Sequence, residues 1–124
     1  MIYGIGTDLC EVIRIKQSID KYGEKFVKRV FTPTEIEYCE IYKENKFVHY
    51  AARFAAKEAF SKAIGTGFTE GFKLNEVGIV NEISGNPKIE LLGSLKVKYS
   101  HLKIHISLSH TDQNAHAYLI LESI

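Results

Sequence analysis

The chain has 124 residues, of which 45% are apolar and 25% charged, with a formal net charge of +1. This length suits one domain, residues 1–124, able to bury a real core, and the composition excludes the disordered and disulfide-stapled classes. Near-balanced charge gives no case for nucleic acid or a membrane surface, and no apolar run approaches the ~20 residues of a membrane span.

Residues 1–8 read as a short strand, in which Ile2, Tyr3 and Ile5 favour extended backbone while Gly4 and Gly6 permit close approach. The opening residues lack a basic start followed by an apolar run, so no signal peptide is expected and the expected location is cytoplasmic. Cys10 and Cys39 have no C-x-x-C spacing and should be buried free thiols. A helix follows the strand: Thr7 or Asp8 can cap it, Glu11 suits its first turn, and Val12, Ile15 and Ile19 form its apolar stripe. Tyr22-Gly23 interrupts that path, and a second piece runs through Phe26 and Val30. Thr32-Pro33-Thr34-Glu35 is a capping box with proline at the first helical position, and opens a helix reaching about Tyr42.

After a polar connector at residues 43–46, a long helix begins near Phe47, runs past Lys62 and stops at Gly65. Ala51, Ala55, Ala59 and Ala63, four apart, give it one smooth face. Beyond it Gly67, Gly71, Asn75 and Gly78 break up the chain. Residues 77–80 and 88–92 read as strands about a turn at residues 84–87. Residues 103–109 alternate, with Ile104, Ile106 and Leu108 facing one way, and residues 115–121 are the hairpin partner across the turn at 111–114. The fold class is therefore α+β, an antiparallel sheet packed against a long central helix and shorter N-terminal helices.

Two acids stand out. Asp8 follows a strand, and Glu58 lies in a helix of small and apolar residues. Hard oxygen ligands without His or Cys companions fit Mg²⁺ better than zinc or copper, and a two-carboxylate site calls for a phosphorylated ligand to complete it. The ordinary alternative makes Asp8 a helix cap and Glu58 half of an i,i+4 pair with Lys62, worth ~0.3–0.5 kcal/mol. Arg53, Lys57 and Lys62 could form a phosphate-binding surface with Ser109-His110-Thr111, although that last segment also reads as a turn bonding its own backbone. Arg14, Lys21, Lys25 and Lys28 would share a basic face were the helical path continuous, suiting an acidic partner or simply a solvated surface. His49, His101, His105 and His116 show no ligand or triad spacing and read as structural or surface residues.

Three strings, in this order and spacing, resemble the small bacterial holo-[acyl-carrier-protein] synthases of the 4′-phosphopantetheinyl transferase superfamily. They are Gly4-Ile5-Gly6-Thr7-Asp8 with Arg14 six residues on, the segment from Arg53 through Lys57-Glu58-Ala59 to Gly67, and Ile106-Ser107-Leu108-Ser109-His110-Thr111. The resemblance implies transfer of the phosphopantetheine arm of coenzyme A to a serine of apo acyl carrier protein, for fatty acid biosynthesis, with adenosine 3′,5′-bisphosphate released. It implies Mg²⁺ on Asp8 and Glu58, catalytic roles for Glu58 and Lys62, and a homotrimer with active sites at subunit interfaces. Coenzyme A contacts would come from Arg53, Lys57, Lys62, Gly65, Ser109, His110 and Thr111, and carrier contacts from Arg14 and, by a looser match, Lys21, Lys25 and Lys28. Two readings from other classes stand beside it. One is a non-catalytic basic module binding an acidic protein; the other, a phosphate-ester hydrolase, is disfavoured because such sites gather more ligands for two ions.

Overall fold

A computed structural model of the chain describes residues 1–65 and 72–124; the sequence features at Gly67 and Gly71 lie outside the described residues. In chain order the elements are β1 (Ile2–Glu11), α1 (Val12–Tyr22), α2 (Glu24–Val30), α3 (Pro33–Glu40), α4 (Lys46–Ile64), β2 (Val77–Asn81), β3 (Pro87–Leu91), α5 (Gly93–Tyr99), β4 (Leu102–His110) and β5 (Asn114–Ser123). Single 3₁₀ turns at Lys43–Asn45 and Leu74–Glu76 precede α4 and β2. No helix among the described residues is long and apolar enough to cross a membrane.

The strands form an antiparallel sheet in the order β1-β5-β4 and a separate hairpin of β2 and β3. The expectation of one antiparallel set is corrected here. Helix α5, which the sequence reading missed, lies between β3 and β4 in chain order. Its entry turn is held from outside: the Glu76 carboxylate accepts from Ser94 N at 3.1 Å and from Ser94 Oγ at 2.7 Å.

Helix α4 crosses the inner face of the larger sheet. Ala51, Ala55 and Ala59 are wholly buried, and they meet Ala115, Ala117, Leu119 and Leu121 of β5, also buried. The approach to β1 is closer still. A Cβ on Gly4 would collide with the Ala63 carbonyl oxygen, and one on Gly6 with that of Ala59. The glycines of β1 and the alanines of α4 thus serve one contact, in which helix backbone rests on strand backbone and fixes the height of α4 over the strand. The outer face of the sheet carries Ile5, Leu9 and Tyr118, all exposed.

Two further expectations change. Strand β1 continues through Glu11, so neither Thr7 nor Asp8 caps α1; the N-cap is Glu11, which makes no side-chain cap bond and pairs instead with Arg14 at 3.1 Å. Gly23, at φ +63°, ends α1 and starts α2 on a new axis, so Arg14 and Lys21 on one helix and Lys25 and Lys28 on the next do not form one helical face. The Thr32 capping box is present as read, with both reciprocal bonds.

Candidate active site

Alternation along β1 turns Gly4, Gly6, Asp8 and Cys10 toward α4, and the glycine contact brings that helix near enough for Asp8 to reach it. Lys62 Nζ donates to Asp8 Oδ1 at 3.0 Å and to the Thr7 carbonyl at 3.0 Å. The sequence offered Glu58 as the i,i+4 partner of Lys62, but the lysine reaches across to the strand instead. Glu58, one turn earlier on α4, faces the same spot. Burial, then the hydrogen-bonding contact and charge of Asp8, push its carboxyl up to about 7, and Lys62 opposes the shift. The second Asp8 oxygen, Oδ2, is buried and has no hydrogen-bond partner among the described residues.

Two crowded carboxyl groups with one orphaned oxygen could hold a cation. All its donors are oxygens, and among the described residues no group of three or more His, Cys, Asp and Glu converges. That set fits Mg²⁺, which takes one or two carboxylates and fills its octahedron with water and phosphate oxygens. Asp8 and Glu58 are the residues that would hold it.

Arg14 and Glu58 share a cavity of about 310 Å³, whose walls include Leu9, Ile15, Phe26 and Phe54. Lys21, Lys25 and Lys28 do not line it; their side chains are exposed on the outer turns of α1 and α2. Phe54 was missed in the sequence, although its place four residues before Glu58 puts it on the same helical face.

Lys57 corrects an expectation. It does not face the cleft as a coenzyme contact but is wholly buried, donating to Glu35 Oε1 at 2.6 Å, Val77 O at 2.5 Å and Leu74 O at 3.1 Å. Arg53 is also inside, 3% exposed, with Nη2 on Asn81 Oδ1 at 2.6 Å and the guanidinium 4.1 Å over the Tyr38 ring. Ser109 and His110 end β4 in exposed positions. The Thr111 hydroxyl accepts from Gln113 N at 3.2 Å and Asn114 N at 3.1 Å, the self-bonded turn held open as an alternative. Gly65 stops α4 in the left-handed conformation, φ +83°, with open space beside it.

Comparison with known proteins identifies the family. The family model described as the 4′-phosphopantetheinyl transferase superfamily matches residues 4–119. A holo-[acyl-carrier-protein] synthase of Solibacter usitatus is 46% identical over 127 residues, covering 99% of this chain and 100% of the relative. One from Clostridium tetani is 48% identical, covering 98% and 97%. Among solved structures, the Bacillus anthracis synthase in complex with CoA (3′,5′-ADP) superposes with a TM-score of 0.85 at 34% identity, covering 100% of this chain and 99% of that one. The Neisseria meningitidis synthase gives 0.88 at 32%, covering 99% and 100%. The paired acids on β1 and α4, the lysine between them and the match over nearly the whole length lead to one conclusion: the chain belongs to the 4′-phosphopantetheinyl transferase superfamily.

Proposed function

We propose that the chain is a holo-[acyl-carrier-protein] synthase, moving the 4′-phosphopantetheine group of coenzyme A onto a serine of apo acyl carrier protein in an Mg²⁺-dependent reaction. The observation that carries the reading is the buried, unpartnered Asp8 oxygen beside a Glu58 carboxyl pushed up to about 7, with Lys62 at the rim.

The serine oxygen bonds to the pantetheine-bearing phosphorus as the anhydride bond breaks, and adenosine 3′,5′-bisphosphate leaves with the bond's electron pair. A divalent ion on Asp8 and Glu58 would supply positive charge to the pyrophosphate oxygens. Lys62, held by the Thr7 carbonyl and Asp8, presents its ammonium where the leaving phosphate gains charge and can protonate it. Glu58 accepts the serine proton, either itself or through one ordered water, from its place beside Asp8. The apolar walls Ile15, Phe26 and Phe54 keep bulk water from the anhydride, and Arg14 at the mouth meets an acidic carrier.

Three finer parts of the reading follow from the family. The modified carrier serves fatty acid biosynthesis, the enzyme works in the cytoplasm, and it assembles as a homotrimer with coenzyme A at the interfaces. The exposed row Ile5, Leu9 and Tyr118 on the outer sheet face supports assembly, because an apolar face of that kind is usually covered. The deciding experiment incubates the chain with apo carrier, coenzyme A and Mg²⁺ and reads the carrier's intact mass. The arm should be added, and chelating the metal should stop the addition. An unmodified carrier would instead favour the non-catalytic basic module.

A further inference from the structure

Lys57, Glu58 and Ala59 are consecutive on α4, so they leave the helix about 100° apart and meet three different neighbours. The helix backbone at Ala59 rests on Gly6 of β1. Glu58 turns to Asp8. Lys57 turns inward, where its ammonium donates to Glu35 Oε1 on α3 and to the carbonyls of Leu74 and Val77. Glu35 accepts in turn from Thr32 N and, through Oε2, from Ile79 N, each at 2.9 Å. Arg53, one turn before Lys57 on the same face, reaches Asn81, so α4 is tied to both ends of β2. The arrangement has a direction: the two carbonyls need a donor and the two amides an acceptor, which only this order of lysine and glutamate supplies. These bonds are all met together at one rotation of the helix. A buried ion pair is often no more stabilising than apolar side chains of the same volume, because both charges are taken out of water. What this one adds is a single geometry.

We propose that Glu35 and Lys57 are positioning residues for the transfer site: the pair fixes the rotation of α4 about its axis, and with it the direction in which Glu58 meets Asp8. The inference rests on the phosphopantetheine-transfer reading and gives a task to two residues outside the Asp8–Glu58–Lys62 cluster. Glu58 is the next residue after Lys57, so any turn of the helix at the pair carries the Glu58 carboxyl with it. Lys62 shares the Glu58 face four residues on and moves in the same sense. The Gly6 contact sets how near α4 lies to β1, and the buried pair sets which way its side chains point. Both are needed, because misplacing a reacting group by about 1 Å can cost ~10²-fold in rate.

Stability and placement come apart when both charges are removed together. Lys57→Met alone strands a buried carboxylate, whereas Glu35→Gln/Lys57→Met keeps the volumes and leaves no lone charge. The double variant should therefore melt closer to the parent than Lys57→Met does. Well below that temperature, its kcat should still be down roughly 10–100-fold, with KM for the carrier unchanged, because Arg14 lies on α1. Calorimetry with Mg²⁺ and no substrate should show metal affinity reduced by about tenfold or more, the usual effect of losing a group that orients a ligand. Glu35→Gln, which keeps an acceptor for the two amides, gives the same readings if the double variant fails to fold. Parental kcat and parental Mg²⁺ affinity in a folded variant overturn the inference and leave the transferase reading standing. Loss of fold in both variants does the same, since the pair is then an element of stability alone. Failure of the unaltered chain to modify the carrier overturns both.

Discussion

Lys57 Nζ lies 2.6 Å from Glu35 Oε1, with both side chains wholly out of water. The pair is complete on both sides. All three ammonium protons are used, and Glu35 also accepts from Thr32 N at 2.9 Å and, through Oε2, from Ile79 N at 2.9 Å. One node therefore ties α3, α4 and β2 together, at the residue next to Glu58. Removing one partner leaves a buried charge unpaired, which costs about 3–5 kcal/mol. Lys57→Met should lower the unfolding free energy from urea titration by an amount in that range. An unfolding free energy within ~0.5 kcal/mol of the parent's would mean that the node does not hold the fold.

The backbone contact of β1 with α4 makes a sharper demand. A methyl on Gly6 would enter the space of the Ala59 carbonyl, so Gly6→Ala must lift α4 off the strand. Overpacking of this kind costs about 1–3 kcal/mol. Because the same contact sets the approach of Asp8 to Glu58 and Lys62, metal affinity should fall with stability. Gly85→Ala, at a turn with open space beside it, is the control, although its φ of +93° brings a strain of its own. Calorimetric titration of Mg²⁺ into both variants separates the cases, since only Gly6→Ala should weaken binding.

Sequence pattern was enough for the broken α1–α2 path, the capped α3, α4 to its Gly65 stop and the β4–β5 hairpin, because each carries its own stop signal; β1 was read only to Asp8, whereas it runs to Glu11. Helix α5 escaped because its entry is secured by Glu76, eighteen positions before Ser94, and not by a local cap. The burial of Lys57 escaped for a similar reason. Its partner sits in a capping box that is complete without it, and only the apolar company of the lysine hinted at an acid inside. Asp8 was ambiguous between cap and ligand until the strand was seen to run on to Glu11, which leaves the carboxylate facing α4. Pairings across the fold, unlike periodicity within an element, leave little trace in one sequence.

Glu58 should link stability to pH in the metal-free protein. Its carboxyl titrates at about 7 in the fold against 4.5 ordinarily, so the native state binds the proton more tightly than the unfolded chain. The stabilisation is full below 4.5 and is lost as pH rises through about 7. Urea midpoints in chelator from pH 4.5 to 8 should therefore decline more steeply for the parent than for Glu58→Gln. Equal slopes would place the shift elsewhere. Mg²⁺ binding near pH 6 should release a proton, visible as a buffer-dependent heat.

Arg14 should act on the carrier and not on the coenzyme. Its side chain is 76% exposed, paired among the described residues with Glu11, and lies on the wall of the cavity that Glu58 also lines. Arg14→Ala should raise KM for the carrier several-fold at low salt, with the difference shrinking as salt screens the encounter. KM for coenzyme A should be unchanged. An effect on the coenzyme alone would move Arg14 to the other substrate.

Lys62 separates catalysis from stability. Its side chain is 57% exposed while Asp8 is 11%, so the ion pair across them is worth little to the fold, about 0–1 kcal/mol. Its charge, however, sits beside the carboxylate that would hold the metal, where the leaving phosphate becomes negative. Loss of one such preorganised donor typically costs ~10²–10³ in kcat. Lys62→Ala should therefore lose that much rate with a melting temperature near the parent's. Lys62→Arg should recover part of it, because the charge returns on a longer, planar group that cannot give up its proton to the leaving oxygen. If the lysine's task is proton donation, arginine should leave the rate low at every pH while KM for coenzyme A is restored. A Lys62→Ala variant that turns over normally would remove Lys62 from the chemistry and leave it as a tether of β1 to α4.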